Sequence, residues 1–322
     1  MDIGVIGVGT MGQNHARVYS ELKSVDSVQV FDLNETAAQT VAARNDIACA
    51  PSMDALLRSV DAVSLCVPTP YHFATAKAVL AAGVHVLIEK PICLTSLEAE
   101  TLIGLIPDDL IVGVGHIERF NPIIAEIQRI VKDPLYVEIK RHNPASARVT
   151  GSSVVEDLMI HDIDIVFNAL FCGESNVRSV GESNDGASCE FTGEYAMQSV
   201  CTFDVCGALF RFDQTPVYLS ASRKSSKKIR IIHIEEEEFT IQGDFMTQEV
   251  YVYRKPEHYH VEEQRYVQDN IIEKVMVGKV EPLKTELSTF VDCVKKGIPF
   301  TVTPEQGLAN VRVCEAIKKQ MI

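Results

Sequence analysis

A lysine, a histidine and an aspartate stand in this chain at spacings suited to moving the proton of an alcohol. Glu89-Lys90-Pro91 closes the apolar run Val84–Ile88. Proline disfavours the helical region for the residue before it, so Lys90 is presented at a strand end rather than along a helix. An amine there can donate to a substrate hydroxyl or tune a neighbouring base. Taken alone this is a weak signal, since exposed lysines are common. Asp157, His161 and Asp164 follow the spacing i, i+4, i+7, which puts them on one face of a helix. A carboxylate one turn from an imidazole orients the ring and raises its basicity, as a general base for an alcohol requires. The competing reading is a surface helix with a charged face; the apolar flank of Leu158, Met159 and Ile165 weighs against it. Two further groups stay open. His72, ending Val67-Pro68-Thr69-Pro70-Tyr71-His72, either borders a bound ring or caps nothing at a helix start. Arg119 is either a donor fork for a phosphate or sugar, or the ion-pair partner of Glu118 or another acid.

Oxidising an alcohol also requires a hydride acceptor, and the chain begins with a place for one. Gly7-Val8-Gly9-Thr10-Met11-Gly12 follows the apolar run Ile3–Ile6 and precedes a helical pattern, and a second apolar run ends at Asp32, twenty residues beyond Gly12. Strand, glycine turn, helix, strand and acid in this order is the dinucleotide fingerprint, far more specific than the glycines alone. Gly7 makes the tight turn, Gly9 lets a pyrophosphate approach the backbone, and Gly12 lets the helix pack on the strand. Thr10 and Met11 then open a helix whose free N–H groups face the phosphates. Asp32 is expected to accept from the adenosine ribose hydroxyls and to repel a 2′-phosphate. Leu33 and Asn34 supply no compensating cation and Arg44 lies far along the next helix, so NAD is expected rather than NADP.

Elements that position these residues can be read from periodicity. Residues 1–118 alternate strands (Ile3–Gly7, Ser27–Asp32, Ala62–Val67, His85–Glu89, Ile111–Val114) with helices (Gln13–Lys23, Glu35–Arg44, Met53–Ser59, Phe73–Ala82, Ser96–Leu105). This alternation of apolar strands and helices predicts a parallel doubly wound sheet. From residue 119 the texture changes. Helices are predicted at Pro122–Lys132 and Val155–Phe171, and a strand at Leu135–Arg141. Strand-like segments follow at Val177–Glu182, Ala187–Thr192, Ala196–Thr202, Lys228–Ile234, Glu237–Gln242 and Glu249–Tyr253. Their alternation predicts a large, mainly antiparallel open sheet in an α+β domain spanning 119–322. Glu235–Glu238 reads as a solvated turn. The chain closes with helices Pro282–Lys296 and Pro304–Gln320, the second started by Thr303-Pro304. Val200, Thr202, Ile229, Ile231 and Ile234 suggest an apolar sheet face, and such faces mark association surfaces.

A net charge of −14 and a sequence pI near 5.1 argue against nonspecific nucleic-acid binding. No apolar run has the length of a membrane helix. The first strand begins at residue 3 without a basic leader, so a cytoplasmic protein is expected. Nine scattered cysteines without a C-x-x-C pair suggest reduced thiols rather than a disulfide framework, and no spacing suggests a structural metal.

The glycine turn, Pro68-Thr69-Pro70-Tyr71-His72, Glu89-Lys90-Pro91 and Asp157-x-x-x-His161, in that order, resemble the glucose–fructose oxidoreductase, inositol dehydrogenase and rhizopine-catabolism family. The likeness runs over nearly the whole chain, including the turn Gly297-Ile298-Pro299. It implies a Rossmann domain followed by an open-sheet α/β domain and NAD(P)-dependent oxidation of a sugar-like alcohol, with Lys90, Asp157 and His161 as the catalytic group. It also implies a cofactor lined by Gly7, Gly9, Thr10, Met11, Gly12, Asp32, Pro68, Thr69, His72, Glu89 and Lys90, and a homodimer or homotetramer paired through the second sheet. The stretches Gly115–Pro122 and Glu156–Asp164 look most like the subgroup that makes a 3-keto nucleotide sugar, with Lys90, Arg119, Asn121 and His161 toward the substrate. Inositol or simple-sugar dehydrogenases, NAD-dependent glycosidases and cofactor-sensing regulators share the same fold.

Overall fold

The computed structural model describes residues 1–144, 151–171, 195–256, 259–262, 265–268 and 271–321. They group into two compact units. The first gathers Met1–Phe120 and Glu281–Glu315, so the penultimate helix and most of the last one belong with the N-terminal sheet. Periodicity alone put both in the second domain, because it reports a helix but not the surface that the helix covers.

In the first unit, strands β1 (Asp2–Ile6), β2 (Ser27–Phe31), β3 (Ala48–Cys49), β4 (Ala62–Leu65), β5 (His85–Glu89) and β6 (Val112–Gly115) form one parallel sheet in the order β3-β2-β1-β4-β5-β6. Strands β4 and β6 are buried throughout and β5 nearly so, because helices cover both sheet faces. The helices between them are α1 (Thr10–Glu21), α2 (Glu35–Asn45), α3 (Met53–Leu57), α4 (His72–Ala81) and α5 (Ser96–Ile103). Asn34, Ser52 and Thr95 start α2, α3 and α5, each accepting a backbone N–H from three residues on. After the second unit, described below, the chain returns to this one, where the segment after Gly297 runs along the sheet edge and the Val114 N–H donates to the Val302 carbonyl at 3.0 Å.

In the second unit, α6 (Pro122–Ile130) and strand β7 (Tyr136–His142) come first. The expected helix at 155–171 is present, but only Ile160–Ile165 (α7) has ordinary α-helical turns. Wide π-type turns flank it at Val155–Met159 and Val166–Leu170. Strands β8 (Tyr195–Cys201), β9 (Val205–Phe212), β10 (Thr215–Ser222), β11 (Ile229–Glu235), β12 (Phe239–Asp244) and β13 (Glu249–Arg254) follow. A hairpin of β14 (Tyr259–Glu262) and β15 (Arg265–Gln268) precedes β16 (Ile272–Val275). Eight strands form a sheet in the order β16-β13-β12-β11-β7-β10-β9-β8, antiparallel except where β7 meets β10.

Strands β9, β10 and β14–β16 were not foreseen. Pro216 in β10 and Gly207 in β9 mask the strand pattern. Gly207 serves its neighbour, since a Cβ there would lie 2.9 Å from the Tyr218 hydroxyl. The expected strands at 177–182 and 187–192 lie outside the described residues. Of Glu235–Glu238, the first residue ends β11 and the other three form the turn into β12.

One face of this sheet packs on α6 and the 155–171 segment, through Phe167 and Phe171 against Phe210 and Phe212. Ile232 and Ile234 point into that core, whereas Ile231, Val200, Val205 and Leu209 are exposed. The expectation that Ile234 shares a face with Ile229 and Ile231 therefore fails, because strand side chains alternate and odd and even positions part. Cysteine pairing also departs from expectation: Cys201 and Cys206 oppose each other across the β8–β9 turn and are joined by a disulfide.

α8 (Pro282–Lys296) ends at Gly297, whose φ of 63° is the left-handed cap that glycine provides. Thr303 accepts the Gln306 N–H and starts α9 (Pro304–Lys318), as its sequence predicts.

Arg141 of β7 is fully buried, and its guanidinium meets Asp162 of α7 at 2.7 and 2.8 Å and lies over the Phe245 ring. Removing one partner of a buried pair strands the other charge. Asp162→Ala is therefore expected to destabilise the protein by about 3–5 kcal/mol. The double variant Arg141→Met with Asp162→Leu removes both charges at once and should be far milder, as urea denaturation of the two variants will show.

Candidate active site

The glycine turn is shaped by contacts that leave no room for side chains, except at one place. Gly7 has a φ of +89°, and its N–H donates to the Phe31 carbonyl at 2.8 Å. A Cβ on Gly12 would sit 1.9 Å from the Gly7 carbonyl oxygen, so only glycine lets α1 approach the turn. A Cβ on Gly9 would meet nothing within 4 Å. Gly9 is also the N-cap of α1 and has no side chain to occupy the helix's first N–H groups. Asp32 braces the turn from the end of β2, accepting the Val8 N–H at 2.7 Å and the Asn34 N–H at 2.8 Å. Each carboxylate oxygen keeps acceptor capacity beyond one bond, so Asp32 can also receive ribose hydroxyls. An open anion-binding helix start, flanked by a fixed acid, fits a dinucleotide. Arg44 corrects the sequence reading: from the last turn of α2 it reaches the Gln13 side chain beside the turn, at 3.4 Å. Sequence distance along a helix hid this, because α2 runs back toward the first turn of α1.

Lys90 stands half-buried at the end of β5, joined to Pro91 by a cis peptide. Two histidines support this corner. The ring nitrogens of His72 lie 2.8 Å from the Pro91 and Val67 carbonyl oxygens. A neutral ring donates to one of them, a protonated ring to both. Burial lowers the pKa of His72, although both carbonyls favour the charged form. His72 thus reaches the site through the two loops that it joins. Glu89 is buried beneath Lys90. It accepts from His15 of α1 at 2.8 Å and from the Lys90 N–H at 3.2 Å. Burial pushes the Glu89 carboxyl upward, but the His15 hydrogen bond and the charges of His15 and Lys90 outweigh it and hold the group below its ordinary range. Glu286 of α8 joins them, and the ligand-capable atoms of His15, Glu89 and Glu286 lie within 4.8 Å of one another.

Pro68 and Thr69 open the single 3₁₀ turn Thr69–Tyr71 that leads into α4. Arg119 lies in a second such turn, Ile117–Phe120, half-exposed, with its N–H donating to the His116 carbonyl at 2.9 Å.

In the second unit Asn121 is buried. Its amide donates to the Phe245 carbonyl at 3.0 Å and its oxygen caps α6, so it shapes the helix start. Asp157 and His161 sit on the segment begun by Ser153, whose N–H and hydroxyl both donate to Glu156. Both bonds run from Ser153 to one carboxylate oxygen, and the Asp157 N–H donates to the Ser153 carbonyl at 3.0 Å as the helical turns begin. Burial raises the Glu156 carboxyl, but Lys318 and Ser153 more than offset this and hold it low. Asp157 lies 3.7 Å from the guanidinium of Arg223, which also donates to the Ser152 and Phe203 carbonyls and pairs with Asp204. His161 is half-buried, with Nδ1 enclosed. Asp164 is buried rather than displayed, and accepts from Asn168 at 3.1 Å. The segment is therefore no charged surface helix.

Residues 1–116 match the family described as an oxidoreductase family with an NAD-binding Rossmann fold, and residues 127–321 match the C-terminal alpha/beta domain of the same family. The chain belongs to this family. It is 42% identical over 183 residues to a UDP-N-acetylglucosamine 3-dehydrogenase from Acidithiobacillus ferrooxidans, an alignment covering 56% of this chain and 58% of that one. An inositol 2-dehydrogenase from Acidothermus cellulolyticus is 33% identical over 180 residues, covering 51% of this chain and 52% of the relative. The chain thus aligns with only about half the length of these curated relatives. A solved structure of a UDP-N-acetylglucosamine 3-dehydrogenase from Acidithiobacillus ferrooxidans superposes over 100% of this chain and 97% of its own, with a TM-score of 0.84 and 28% identity.

His15, Glu286 and Arg223 escaped the sequence reading. His15 had a faint signal: it stands on the buried stripe Gly12, His15, Ala16, Tyr19 of α1, a polar residue where the period demands an apolar one. Glu286 and Arg223 had none, because their partners are remote in sequence.

The open space at Gly9 and the crowding at Gly12 make opposite predictions. Gly9→Ala should leave the melting temperature nearly unchanged and weaken NAD+ binding, measured by calorimetric titration. Gly12→Ala should lower the melting temperature itself. Asp32→Ala should weaken NAD+ binding and reduce the preference over NADP+.

Proposed function

We propose that this chain is an NAD-dependent dehydrogenase that oxidises the 3-hydroxyl of UDP-N-acetylglucosamine to a 3-keto nucleotide sugar. The observation that carries the reaction class is the open glycine turn braced by Asp32, in a chain of this oxidoreductase family. The likeness to the Acidithiobacillus enzymes supports the substrate. The cofactor, when bound, supplies a hydride acceptor for the carbinol carbon. Gly7, Gly9, Thr10, Met11, Gly12 and Asp32 hold it, with Pro68, Thr69, Glu89 and Lys90 beside its nicotinamide end and His72 behind them. His161 accepts the hydroxyl proton. Lys90 donates a hydrogen bond to the same oxygen as negative charge builds on it. Asp157, itself beside Arg223, orients the imidazole. Arg119 serves the diphosphate through its donor fork.

The same reading includes a homo-oligomer. Val200, Val205, Leu209 and Ile231 leave apolar surface on the large sheet exposed to solvent. Closed symmetric pairing of such a face is the ordinary remedy. Sedimentation at micromolar concentration should give a dimer or tetramer, and Leu209→Glu should shift it toward monomer. A wild-type monomer would overturn this part.

A panel of nucleotide sugars and polyols, followed by NADH absorbance, tests the activity. UDP-N-acetylglucosamine should have the highest kcat/KM; preference for inositol would replace the proposed substrate. Lys90→Ala and His161→Ala should each lose about 10²–10⁴ in rate while still binding NAD+. Asp157→Asn should lose less than His161→Ala.

A further inference from the structure

We propose that the buried Glu89–His15 pair is a positioning device that holds Lys90 as an ammonium hydrogen-bond donor, leaving proton removal to His161. The proposal rests on the reading that Lys90 touches the substrate hydroxyl. Its basis is a carboxylate in an unusual place. Glu89 is 7% exposed and ends β5 directly before Lys90. Burying an ionised carboxylate is costly unless its oxygens are satisfied, and here both are. One accepts from His15, the other from the Lys90 peptide N–H. A single side chain therefore ties the first turns of α1, next to the glycine turn, to the peptide that carries the lysine. The adjacent strand makes room for it: a Cβ on Gly115 would press within 3.2 Å of the Glu89 carboxyl carbon.

Charge points the same way. Among the described residues, the titratable groups that interact with Glu89 are His15 and Tyr19 from α1, Cys66 beyond β4, His72 from α4, Glu286 from α8, and Lys90 itself. Burial pushes the Tyr19 hydroxyl and the Cys66 thiol up, so both stay neutral. Two carboxyls, the imidazoles of His15 and His72, and an amine remain. A carboxylate beside an amine favours the protonated amine, by the same interaction that holds Glu89 low. An ammonium has three donors and no acceptor. It can steady an alkoxide but cannot accept its proton until it has lost its own.

The test uses the full-length enzyme with Glu89→Gln, His15→Asn and the double variant, and takes two readings. The first needs no substrate: acylation of Lys90 by acetic anhydride at mildly alkaline pH, quantified by mass spectrometry against the exposed lysines of the same chain. Glu89→Gln should speed Lys90 labelling by about three- to tenfold, since one unit of pKa is tenfold in free amine. The second is steady-state kinetics. Each single variant should lower kcat by about tenfold or more, and the double variant should lose no more than the worse single, as for two groups acting as one. Unchanged labelling and unchanged kcat in both variants would overturn the proposal. So would loss of folding in both, which would make the pair merely structural. If wild type oxidises no sugar, or Lys90→Ala turns over normally, the catalytic reading fails while the labelling still decides the state of Lys90. If Lys90→Ala is inactive but Glu89→Gln labels and turns over like wild type, the positioning proposal alone fails.

Discussion

The approach of one helix to one turn is the constraint on which the first unit depends. The Gly12 Cα stands so near the Gly7 carbonyl that no side chain fits between them. That contact aims the start of α1 at the glycine turn and seats the inward stripe of α1 on the sheet. From that stripe His15 meets Glu89 and Tyr19 meets Ser64, both at 2.8 Å. A helix held even slightly further out would lose the His15 bond and with it the brace beneath Lys90. The glycine turn and the peptide of Lys90 are thus held through the same backbone contact.

Both units place buried charge next to the residues assigned to chemistry. Glu89 directly precedes Lys90; Asp162, paired with Arg141, directly follows His161 in the chain; Arg223 lies against Asp157. Buried ion pairs contribute little net stability compared with apolar packing of the same volume. Their value here is geometric. A hydrogen-bonded pair has one arrangement, whereas apolar packing tolerates several, and an acid–base group needs its neighbours fixed to within a fraction of an ångström. The wide helical turns on either side of Ile160–Ile165 fit this view, since irregular helical turns of this kind collect at functional segments.

The large sheet shows the other use of a strand surface. Its inner side is filled by aromatic rings and aliphatic side chains, while its outer side mixes exposed Val200, Leu209 and Ile231 with charged groups. At the β8 edge the Ser199 N–H and hydroxyl both donate to Gln320 near the chain end.

Much was determined by the sequence alone. The order strand, glycine turn, helix, strand, acid is a local pattern, and local patterns survive without knowledge of the fold. So do the helix starts at Asn34, Ser52 and Thr303 and the glycine stop at Gly297, since each depends on residues within one turn. The Rossmann sheet was legible for this reason. Only the tertiary structure decided what the candidate site residues touch. His15 reaching Glu89, Arg223 reaching Asp157 and Arg44 reaching Gln13 join residues that are 74, 66 and 31 apart in the chain, and no periodicity encodes such pairs. Strands β9 and β10 were missed because Gly207 and Pro216 read as breakers. Their place inside an eight-stranded sheet, with β10 paired on both sides, overrode that local preference. The grouping of α8 with the first sheet rather than the second was likewise a matter of which surface lay bare, and that is a property of the folded chain.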